Sequence, residues 1–503
     1  MSLAVVNSCV LMGMQPHAVQ VEVHIGAGLP AFSVVGLPDT GVRESRERVR
    51  SALQSSGFNF PVARITVNLA PADLPKDAAH FDLPIAMGIL LASGQLAVES
   101  EHSPSVPLCI DQYMFAGELS LTGALLRLAA PVAVTWSAAK LGFRQVVVPQ
   151  VCAEAAAQVS EVQVYGASSL PQLVEALLAH ELVCALPEQA IMAGSDAVGL
   201  CMSEVKGQQQ ARHAIEIAAA GRHNVLLRGT PGVGKSMLAQ RLITVLPELS
   251  EPQRLDVAVL AGVAGRSEPV DTLPPFRSPH HSASTVALVG GSSPPKPGEI
   301  SLAHHGVLFL DEVAEFTGRA LEALREPLET GGVTIARAGR SVWFPADFQL
   351  VAAMNPCPCG WLGHAVQHCL CTPERIERYR AKLSGPFMDR LDLCINLKVE
   401  ADVLDATAVM ESSVQIRKRV ECAQAIQHQR QGCLNSRLDD EGVALYAVLG
   451  GDAEQLLRQC VRRWGWSGRS VQRARKVART IADLAGVEHI QTEHLAMAIQ
   501  YRG

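Results

Sequence analysis

The spacing of apolar and polar residues divides the first third of the chain into strands and helices. Apolar residues alternate with polar ones at Val19–Ile25 and Arg64–Leu69, the pattern of a half-buried strand. Arg43–Gln54 instead places apolar residues at helical spacing among charged ones, and Leu83–Leu96 is apolar enough for a buried helix. These elements predict an α/β domain over residues 1–180. Two later strands of this domain are predicted at Gly142–Pro149 and Val162–Tyr165.

The pattern changes after residue 180. A stretch containing Pro187, Gly194 and Gly199 holds no sustained period and predicts a linker over 181–204. An α/β core is predicted over 205–399. The remaining residues, 400–503, are predicted to form a helical domain, with period-3.6 patterns at Val414–Gln427, Gly442–Leu449 and Val471–Leu484.

Composition indicates a globular protein of two or three domains. A chain of 503 residues is too long for one ordinary core, and its 48% of hydrophobic residues supply ample core material. The net charge of −6 excludes a generally basic nucleic-acid coat, so any DNA contact must come from local basic loops. The N-terminus lacks a charged signal region, and the most apolar run, 83–98, is too short and interrupted to span a bilayer. We therefore expect a cytoplasmic protein with no membrane partner.

A glycine-rich segment, Gly229–Ser236, fits the phosphate-binding loop pattern G-x-x-x-x-G-K-[ST]. It lies between a predicted strand, Asn224–Arg228, and a predicted helix, a context in which backbone N–H groups can approach phosphate oxygens. In this interpretation Lys235 holds the β and γ phosphates and Ser236 holds Mg²⁺. ATP and Mg²⁺ are the expected cofactors. The predicted nucleotide-binding residues here are Gly229, Thr230, Pro231, Gly232, Val233, Gly234, Lys235, Ser236 and Met237.

An apolar strand that ends in two acids supplies the second half of such a site. Gly306–Glu312 is an unbroken apolar run up to its acids, as expected of a strand buried on both faces. Acids at the carboxyl end of such a strand lie where open α/β sheets bind ligands. We expect Asp311 to orient the Mg²⁺ shell and Glu312 to act as the general base on the attacking water. The two motifs together predict an ATPase.

Four further markers accompany these motifs: Val205–Gln208, Pro275–His281, Met354–Gly360 and Met388–Asp392. Together with the two motifs, they give the chain a resemblance to the magnesium-chelatase subunit I-like branch of the AAA+ ATPases, and most closely to the bacterial ComM/YifB family. The resemblance covers essentially the whole chain. It implies a Lon-protease-like N-terminal α/β domain, an AAA+ phosphate-binding-loop α/β core and a C-terminal helical lid.

The resemblance implies catalytic roles for two residues outside the phosphate-binding loop and the acidic strand. Asn355 matches the family's sensor 1 residue, which helps to place the lytic water, and a turn asparagine before Pro356 is the alternative. Arg390 matches the arginine that relatives project into the neighbouring subunit's nucleotide. The alternative is a surface salt bridge with Asp389 or Asp392.

The lid and the subunit interface follow from the same resemblance. Arg469 is the first choice for the sensor 2 residue and Arg473 the second, and their spacing puts both on one helix face. A solvated basic face is the alternative. An arginine that acts on a neighbouring subunit requires a ring, so we expect a closed homo-oligomer, a hexamer.

Two insertions in the core are candidates for DNA contact. Arg266–Ser301 matches the family's helix-2 insert. Gly331–Phe344 alternates like a hairpin with its turn at Ala338–Gly339, and it matches the pre-sensor 1 hairpin of the same branch. Arg337 and Arg340 flank the turn, so six subunits would bring about twelve guanidinium groups to one channel. Subunit contacts are the alternative role for these arginines.

Four of the 13 cysteines cluster in two close pairs, Cys357 with Cys359 and Cys369 with Cys371. Four thiolates suit tetrahedral zinc, although C-x-C pairs are tighter than the usual C-x-x-C. His364 or His368 could replace one ligand. A structural zinc site is the hypothesis, and reduced thiols without a metal are the alternative.

The first domain resembles the Lon-protease-type, ribosomal-S5-like fold. Pro75–Pro84 occupies the place where Lon proteases carry their nucleophilic serine, but Asp82 or a neighbour stands there. The lysine expected after the Lon-like stretch Gly117–Gly123 is also absent. Because a Ser–Lys mechanism needs both groups, we expect the domain to be proteolytically inactive.

The function implied by the resemblance is that of a ring-forming ATP-dependent DNA motor. A ComM-type helicase promotes branch migration of recombination intermediates during natural transformation, and its partner is single-stranded or branched DNA. Two other classes stay open: an ATPase subunit of a magnesium chelatase, and an ATP-dependent remodeller of protein partners.

Overall fold

The computed structural model describes most of the chain, and its residues cluster into two compact units. The first unit comprises Met1–Ala190 and Arg254–Val270, and the second comprises Ile191–Gln253 and Asp271–Gly503. The described residues are 2–36, 40–74, 76, 79–96, 110–187, 199–266, 271–292, 295–337, 340–364, 366–398 and 410–502.

The first unit contains a mixed sheet with helices. Its elements from the N-terminal segment are β1 (Ser2–Met12), β2 (Gln15–Gly26), β3 (Ala31–Val35), α1 (Thr40–Ser55), β4 (Arg64–Ala70), α2 (Asp82–Ala92), β5 (Tyr113–Phe115), β6 (Glu118–Leu119), β7 (Leu125–Leu126), α3 (Pro131–Lys140), β8 (Gln145–Pro149), α4 (Gln150–Ala156), β9 (Gln163–Ala167) and α5 (Leu170–Leu178). The sheet has the order β3-β4-β2-β1-β5-β8-β9, and β6 and β7 form a separate pair. Strands β1, β2 and β4 pair antiparallel, while β5, β8 and β9 pair parallel.

Helix α2 lies in the core of the first unit. Every residue in it except Leu91 is buried, and from Leu83 onward its sequence is apolar, as expected of a buried helix. The helix ends at Ala92 rather than Leu96, because Gly94 adopts the left-handed conformation with φ +73°. Strand β8 likewise begins three residues later than predicted, since Gly142 at φ +86° forms a turn before it.

Helix α8 (Glu251–Val263) belongs, from Arg254 onward, to the first unit. Leu255 and Val259 are buried in a cluster with apolar residues of α3 and β8. At Gly262 an added Cβ would lie 2.8 Å from the Cβ of Ala130, so glycine permits close packing here. The sequence pattern instead predicts this segment within the core 205–399. A helical period alone does not reveal which domain its apolar face packs on.

The second unit is built on a parallel sheet. Its elements are α6 (Gln209–Gly221), β10 (Val225–Arg228), α7 (Lys235–Val245), β11 (Phe276–Arg277), α9 (Thr285–Val289), β12 (Gly290–Gly291), β13 (Lys296–Pro297), α10 (Glu299–Leu302), β14 (Val307–Leu310), α11 (Gly318–Glu322), α12 (Arg325–Thr330), β15 (Gly332–Arg337), β16 (Arg340–Pro345), β17 (Gln349–Met354), α13 (Pro373–Arg380), α14 (Gly385–Met388), β18 (Leu393–Asn396), α15 (Ser413–Gln431), α16 (Asp440–Tyr446), α17 (Gly451–Trp464), α18 (Gly468–Leu484) and α19 (Thr492–Gln500). The main sheet has five strands in the order β11-β14-β17-β10-β18, and all neighbouring pairs are parallel.

The parallel arrangement explains the unbroken apolar runs of this sheet. All residues of β14 and β17 are buried, as expected for strands covered on both faces. Helices α6, α7, α15 and α18 contribute to the same apolar core as these strands. Loops that carry polar side chains lie at both ends of these strands. We call the end at which the strands finish the carboxyl edge and the end at which they begin the amino edge.

Candidate nucleotide-binding site

The glycine-rich loop connects β10 to α7 at the carboxyl edge of the five-stranded sheet. Gly234 precedes the first residue of α7 with φ +96°, a conformation that favours glycine. At Gly229 an added Cβ would lie 2.7 Å from Val233 Cγ1 and 3.0 Å from the carbonyl oxygen of Leu397. The loop thus packs closely against the end of β18, which neighbours β10 in the sheet. Helix α7 begins in this loop, and a helix N-terminus is a place that favours anions.

Lys235 lies inside this loop and is held by three oxygen atoms. Its Nζ donates to the carbonyl oxygens of Gly229 and Thr230 at 2.7 and 3.0 Å, and to Oδ1 of Asn355 at 2.9 Å. Burial lowers the pKa of Lys235, and the charges of Asp311 and Glu312 oppose that shift. The ammonium group is therefore positioned by the loop and by the end of β17.

Ser236 and Asp311 face each other at the same edge. The Ser236 hydroxyl donates to Asp311 Oδ2 at 2.9 Å, and Asp311 Oδ1 accepts the backbone N–H of Glu312 at 2.9 Å. Hydroxyl and carboxylate oxygens are the ligands that Mg²⁺ prefers. These two residues fit a magnesium ion by the chemistry of their donors.

Glu312 adopts an unusual backbone conformation for a side chain of its size. Its φ of +49° lies in the left-handed region, which non-glycine residues seldom adopt and which is found preferentially at functional sites. Its carboxylate is 54% exposed and approaches Nδ1 of His281 at 3.5 Å. His281 has no role among the predicted site residues, although the His-His pair in Pro275–His281 is a visible signal in the sequence.

Three motifs far apart in sequence thus meet at one edge. Strand β10 pairs with β17 so that Arg228 lies opposite Met354, and β17 pairs with β14 so that Leu310 lies opposite Ala352. The residue that follows each strand therefore falls at the same edge. The structure brings together the phosphate loop, the acidic pair and Asn355, all of which the sequence analysis had selected.

The four clustered cysteines lie next to this edge. The Sγ atoms of Cys357, Cys359 and Cys369 are 3.4 to 3.6 Å apart, and Cys371 Sγ lies within 4.8 Å of all three. A tetrahedral zinc site with Zn–S bonds of about 2.3 Å has sulfur atoms about 3.8 Å apart. The sulfur geometry is close to that arrangement.

Histidine does not join the four sulfur atoms in the described part of this segment. Nδ1 of His364 instead accepts the backbone N–H groups of Val366 and Gln367 at 3.2 and 2.9 Å. The cysteine segment also touches the phosphate loop, because an added Cβ at Gly360 would lie 2.8 Å from Pro231 Cδ. The cluster is therefore positioned to support the loop and Asn355.

Arg390 lies at the other edge of the sheet, before β18. Its side chain is 5% exposed, and its guanidinium donates to the carbonyl oxygen of Pro386 at 2.9 Å and to the carboxylate of Glu329. The alternative expected from sequence, a salt bridge with Asp389 or Asp392, is wrong as to partner. Burial lowers the pKa of Arg390, although the charge of Glu329 opposes this.

The two sensor 2 candidates lie beside Arg390. Arg473 donates to the carbonyl oxygen of Leu391 at 3.2 Å and approaches Asp392 at 3.7 Å. Arg469 is exposed in the first turn of α18, and its charge, like that of Arg473, contributes to lowering the pKa of Arg390. These three arginines form a basic group at the amino edge.

This basic group and the phosphate loop of the same chain lie at opposite ends of the strands, so the length of β10 separates them. Asn224 and Asp392 immediately precede β10 and β18, whereas Gly229 follows β10. A strand of four residues spans roughly 13 Å. The structure does not bring Arg390 or Arg473 to the nucleotide loop of its own chain.

The predicted hairpin is formed by β15 and β16. Its register pairs Gly332 with Pro345 and Arg337 with Arg340, and the turn at Ala338–Gly339 lies outside the described residues. One face of the hairpin is apolar and buried, and consists of Val333, Ile335, Val342 and Phe344. The two arginines therefore stand at the last described pair before the turn, as the sequence indicated.

In the first unit, Asp82 is buried and paired. Its carboxylate accepts two hydrogen bonds from Arg48, at 2.7 and 3.1 Å, and one from the backbone N–H of Leu119 at 3.2 Å. An ion-paired carboxylate thus occupies the place that the resemblance assigns to the nucleophilic serine of Lon proteases.

The chain matches three family models that together cover most of its length. Residues 201–404 match "Magnesium chelatase, subunit ChlI", residues 21–151 match "Subunit ChlI of Mg-chelatase", and residues 410–502 match "Magnesium chelatase, subunit ChlI C-terminal". Across the parts of the chain that the structure describes, no helix is sufficiently long and apolar to cross a bilayer.

Several curated relatives are similar over the full chain. Uncharacterized protein YifB of Salmonella typhimurium is 42% identical over 510 residues, which cover 100% of this chain and 97% of the relative. Competence protein ComM of Haemophilus influenzae is 42% identical over 509 residues, covering 100% and 98%. The Magnesium-chelatase 67 kDa subunit of Chlorobaculum tepidum is 27% identical over 161 residues, covering 31% of this chain and 23% of the relative.

Proposed function

Because the chain belongs to the ComM/YifB family of magnesium-chelatase-like AAA+ ATPases, we propose that it is a ring-forming DNA motor. Its expected reaction is a ComM-type branch migration of recombination intermediates during natural transformation, driven by ATP hydrolysis. The observation that carries the ATPase part is the convergence of Lys235, Ser236, Asp311 and Asn355 at the carboxyl edge. The name of the Haemophilus relative supports the competence part.

The residues of this edge suit the successive requirements of phosphoryl transfer. The Lys235 ammonium, now bound to three oxygen atoms, would exchange them for the β and γ phosphate oxygens of ATP. Ser236 and Asp311 would hold Mg²⁺, which neutralises charge on the phosphates when bound. Glu312 has a largely exposed carboxylate at the same edge and would orient and deprotonate the attacking water, with Asn355 beside it.

The position of Arg390 supports the proposal that a neighbouring subunit completes the site. It lies at the amino edge, out of reach of its own phosphate loop, so its guanidinium can stabilise a transferring phosphoryl group only in another chain. The same holds for Arg473. This arrangement supports a closed ring in which each interface joins one carboxyl edge to one amino edge.

Mixed rings test the shared site. Arg390→Ala and Glu312→Gln should each abolish most ATPase activity, yet the two chains assembled together contain interfaces in which both residues are intact. Random mixing at equal amounts makes about a quarter of the interfaces intact, so activity should recover toward about a quarter of the wild-type value. A mixture no more active than the sum of its parts would contradict sharing.

DNA is proposed to contact the hairpin. Arg337 and Arg340 pair across the hairpin next to its turn, and phosphate contact depends on such local positive charge. Arg337→Ala with Arg340→Ala should remove the stimulation of ATP hydrolysis by single-stranded or branched DNA. Stimulation that persists in the double variant would assign these arginines to subunit contacts. If DNA fails to stimulate the wild-type chain, a remodeller of protein partners becomes the better proposal.

We also propose structural zinc at the four cysteines. The support is the spacing of the sulfur atoms, 3.4 to 3.6 Å for three of them, and the contact of their segment with Pro231. Zinc quantification after exhaustive dialysis tests the site. About one equivalent per chain is expected, and less than about half an equivalent would contradict it.

A further inference from the structure

The start of the hairpin is fixed to the amino edge by Glu329. This residue lies in α12, three positions before β15, and its carboxylate accepts a hydrogen bond from Arg390. The joint between helix and strand is tied by Thr330, whose single hydroxyl hydrogen lies between the carbonyl oxygens of Glu326 and Gly332, at O–O distances of 2.9 and 3.0 Å. A displacement of β15 would therefore be transmitted to Glu329.

The end of the hairpin is fixed to the same edge by Asp347. Arg222 donates to its carboxylate at 3.1 Å and to its carbonyl oxygen at 3.0 Å, and Arg437 of the helical region donates to its carboxylate. Two residues later β17 begins, which leads directly to Asn355 at the carboxyl edge. Both ends of the hairpin are therefore held by arginines.

The pairing of Glu329 with Arg390 is the weaker of the two attachments. Among the described residues, Glu329 is 53% exposed and pairs with one arginine, whereas Asp347 is held by two arginines and its backbone N–H donates to Nδ1 of His304 at 3.0 Å. The Arg390 side of the first pair is buried, but the exposed Glu329 carboxylate can be solvated by water as it leaves the guanidinium, which lowers the cost of breaking the pair. Glu329 is thus the attachment that a displacement of the hairpin would break first.

The surroundings of Arg390 favour an anion in place of Glu329. A cavity of about 90 Å³ at this edge carries more cationic than anionic side chains, and Nε of Arg390 is buried without a hydrogen-bond partner. A guanidinium released from Glu329 would be left in a basic environment that a phosphate group relieves. The charged residues that line the cavity are Arg222, Glu329, Arg390, Asp392, Arg437, Arg473 and Lys476.

We propose that Glu329 is a positioning residue. By holding the Arg390 guanidinium, it makes the availability of Arg390 to a phosphate group depend on the position of the hairpin. While the hairpin is free, Glu329 retains the Arg390 guanidinium. When DNA displaces the hairpin, α12 withdraws Glu329, and Arg390 becomes available to the phosphate group of the neighbouring subunit's ATP. The inference rests on the proposed DNA-dependent ring and explains how hairpin contact would accelerate hydrolysis in the next subunit.

The test compares Glu329→Gln with Glu326→Gln, an exposed carboxylate one turn earlier in the same helix. ATPase rates of assembled rings are measured with and without single-stranded DNA, together with DNA affinity. Glu329→Gln should raise the DNA-free rate and reduce the stimulation ratio at least about 5-fold, the lower range for coupling between sites. Its DNA affinity should stay within about twofold, since no phosphate contact is removed. Glu326→Gln should match the wild type.

The outcomes separate the inference from the proposed function. A wild-type chain that DNA stimulates, with Glu329→Gln stimulated equally, overturns the inference and leaves the DNA motor standing. A wild-type chain that DNA does not stimulate overturns both. If Glu329→Gln fails to assemble, Glu329→Asp is measured in the same way, because its shorter side chain keeps the charge but loses reach. A wild-type ratio in that variant also overturns the inference.

Discussion

At the carboxyl edge of the five-stranded sheet, one ammonium group, a hydroxyl and a carboxamide lie beside two carboxylates, whereas the amino edge carries a group of arginines. The carboxyl edge is formed by short loops that directly follow β10, β14 and β17. The amino edge collects side chains from α12, the segment before β18 and the helical region. Under the proposed function, the two edges are the two halves of one phosphoryl-transfer site, at opposite ends of the strands.

The difference lies in what each edge lacks. In the proposed mechanism the carboxyl edge supplies a general base, Glu312, and a lysine, Lys235. The hydrogen bonds of Lys235, Ser236 and Asp311 in the described part of the chain include none to an arginine. Arg390 and Arg473 instead lie at the amino edge, away from the phosphate loop of their own chain. A guanidinium that is held in place and shielded from water stabilises the transition state more than the ground state. Under this proposal, the separation of the two halves makes hydrolysis depend on a neighbouring subunit.

Removing the amino-edge arginine should have the largest effect. Arg390→Ala is expected to lower kcat by about 10³-fold or more in assembled rings, because a trans-acting arginine is typically worth that much. ATP affinity should change little. Arg319→Ala, an exposed arginine on α11, is the control and should remain within about twofold, since it is a surface substitution. Steady-state ATPase assays combined with sedimentation check this. An Arg390→Ala ring with wild-type turnover would show that the amino edge does not contribute to hydrolysis.

Removing the base at the carboxyl edge should have the next largest effect. Glu312→Gln is expected to lower kcat by about 10²- to 10⁴-fold while ATP still binds, because general bases contribute on that scale. Glu315→Gln provides a matched control, as its carboxylate only pairs with Lys382 at 3.1 Å on the surface. Nucleotide binding and turnover are measured separately. Loss of ATP binding in Glu312→Gln would point to a structural role.

Disrupting the cysteine cluster should impair the carboxyl edge more mildly. Cys359→Ser is expected to release zinc and to lower kcat by no more than about 10²-fold, the cost of misplacing a catalytic group such as Asn355 by about 1 Å. Cys422→Ser, at an exposed cysteine of α15, should retain both metal and activity. Zinc content and ATPase rate are determined on the same samples. An inactive Cys359→Ser chain that keeps its zinc would separate the cluster from the edge.

The smallest effect concerns acid stability at the amino edge. Burial raises the pKa of Asp392, but the imidazole of His223 and the charge of Arg473 outweigh burial and bring the pKa down to about 2 from its usual 3.8. A depressed pKa stabilises the fold above the usual value, and that contribution is lost as pH falls from about 4 toward 2. It amounts to about 2 kcal/mol.

Urea unfolding of the wild type and of Asp392→Asn between pH 7 and pH 3 checks this contribution. The difference between the two free energies of unfolding should shrink as the pH falls, because protonation removes the charge that the variant lacks. A difference independent of pH would mean that Asp392 stabilises the edge without its charge.

Most residues of the carboxyl edge could be predicted from the sequence because they lie in two short, continuous segments. Gly229–Ser236 and Gly306–Glu312 each combine a strand and its following loop, so backbone geometry fixes what their side chains can do. The strands, helix α7 and the hairpin register followed from the same periodic patterns. Asn355 needed the family resemblance, since an asparagine before proline is common in turns.

The amino edge could not be derived in the same way. Asp347 is paired with Arg222 and Arg437, which lie 125 and 90 residues away in the chain. No local pattern distinguishes these arginines from the many that face solvent. The partner of Arg390 was missed for the same reason, because Glu329 lies in another element 61 residues away. Ion pairs of this kind depend on tertiary packing.

Helix α8 carries a consequence for how this chain is made. The first unit is completed by Arg254–Val270, so its sequence is interrupted by Ile191–Gln253, which contains the phosphate loop. On the ribosome, the N-terminal unit cannot bury the apolar surface that receives Leu255 and Val259 until the loop has already emerged. A fragment ending near residue 190 would expose that surface. To express the first unit alone, the segment Arg254–Val270 should therefore be fused to the N-terminal fragment.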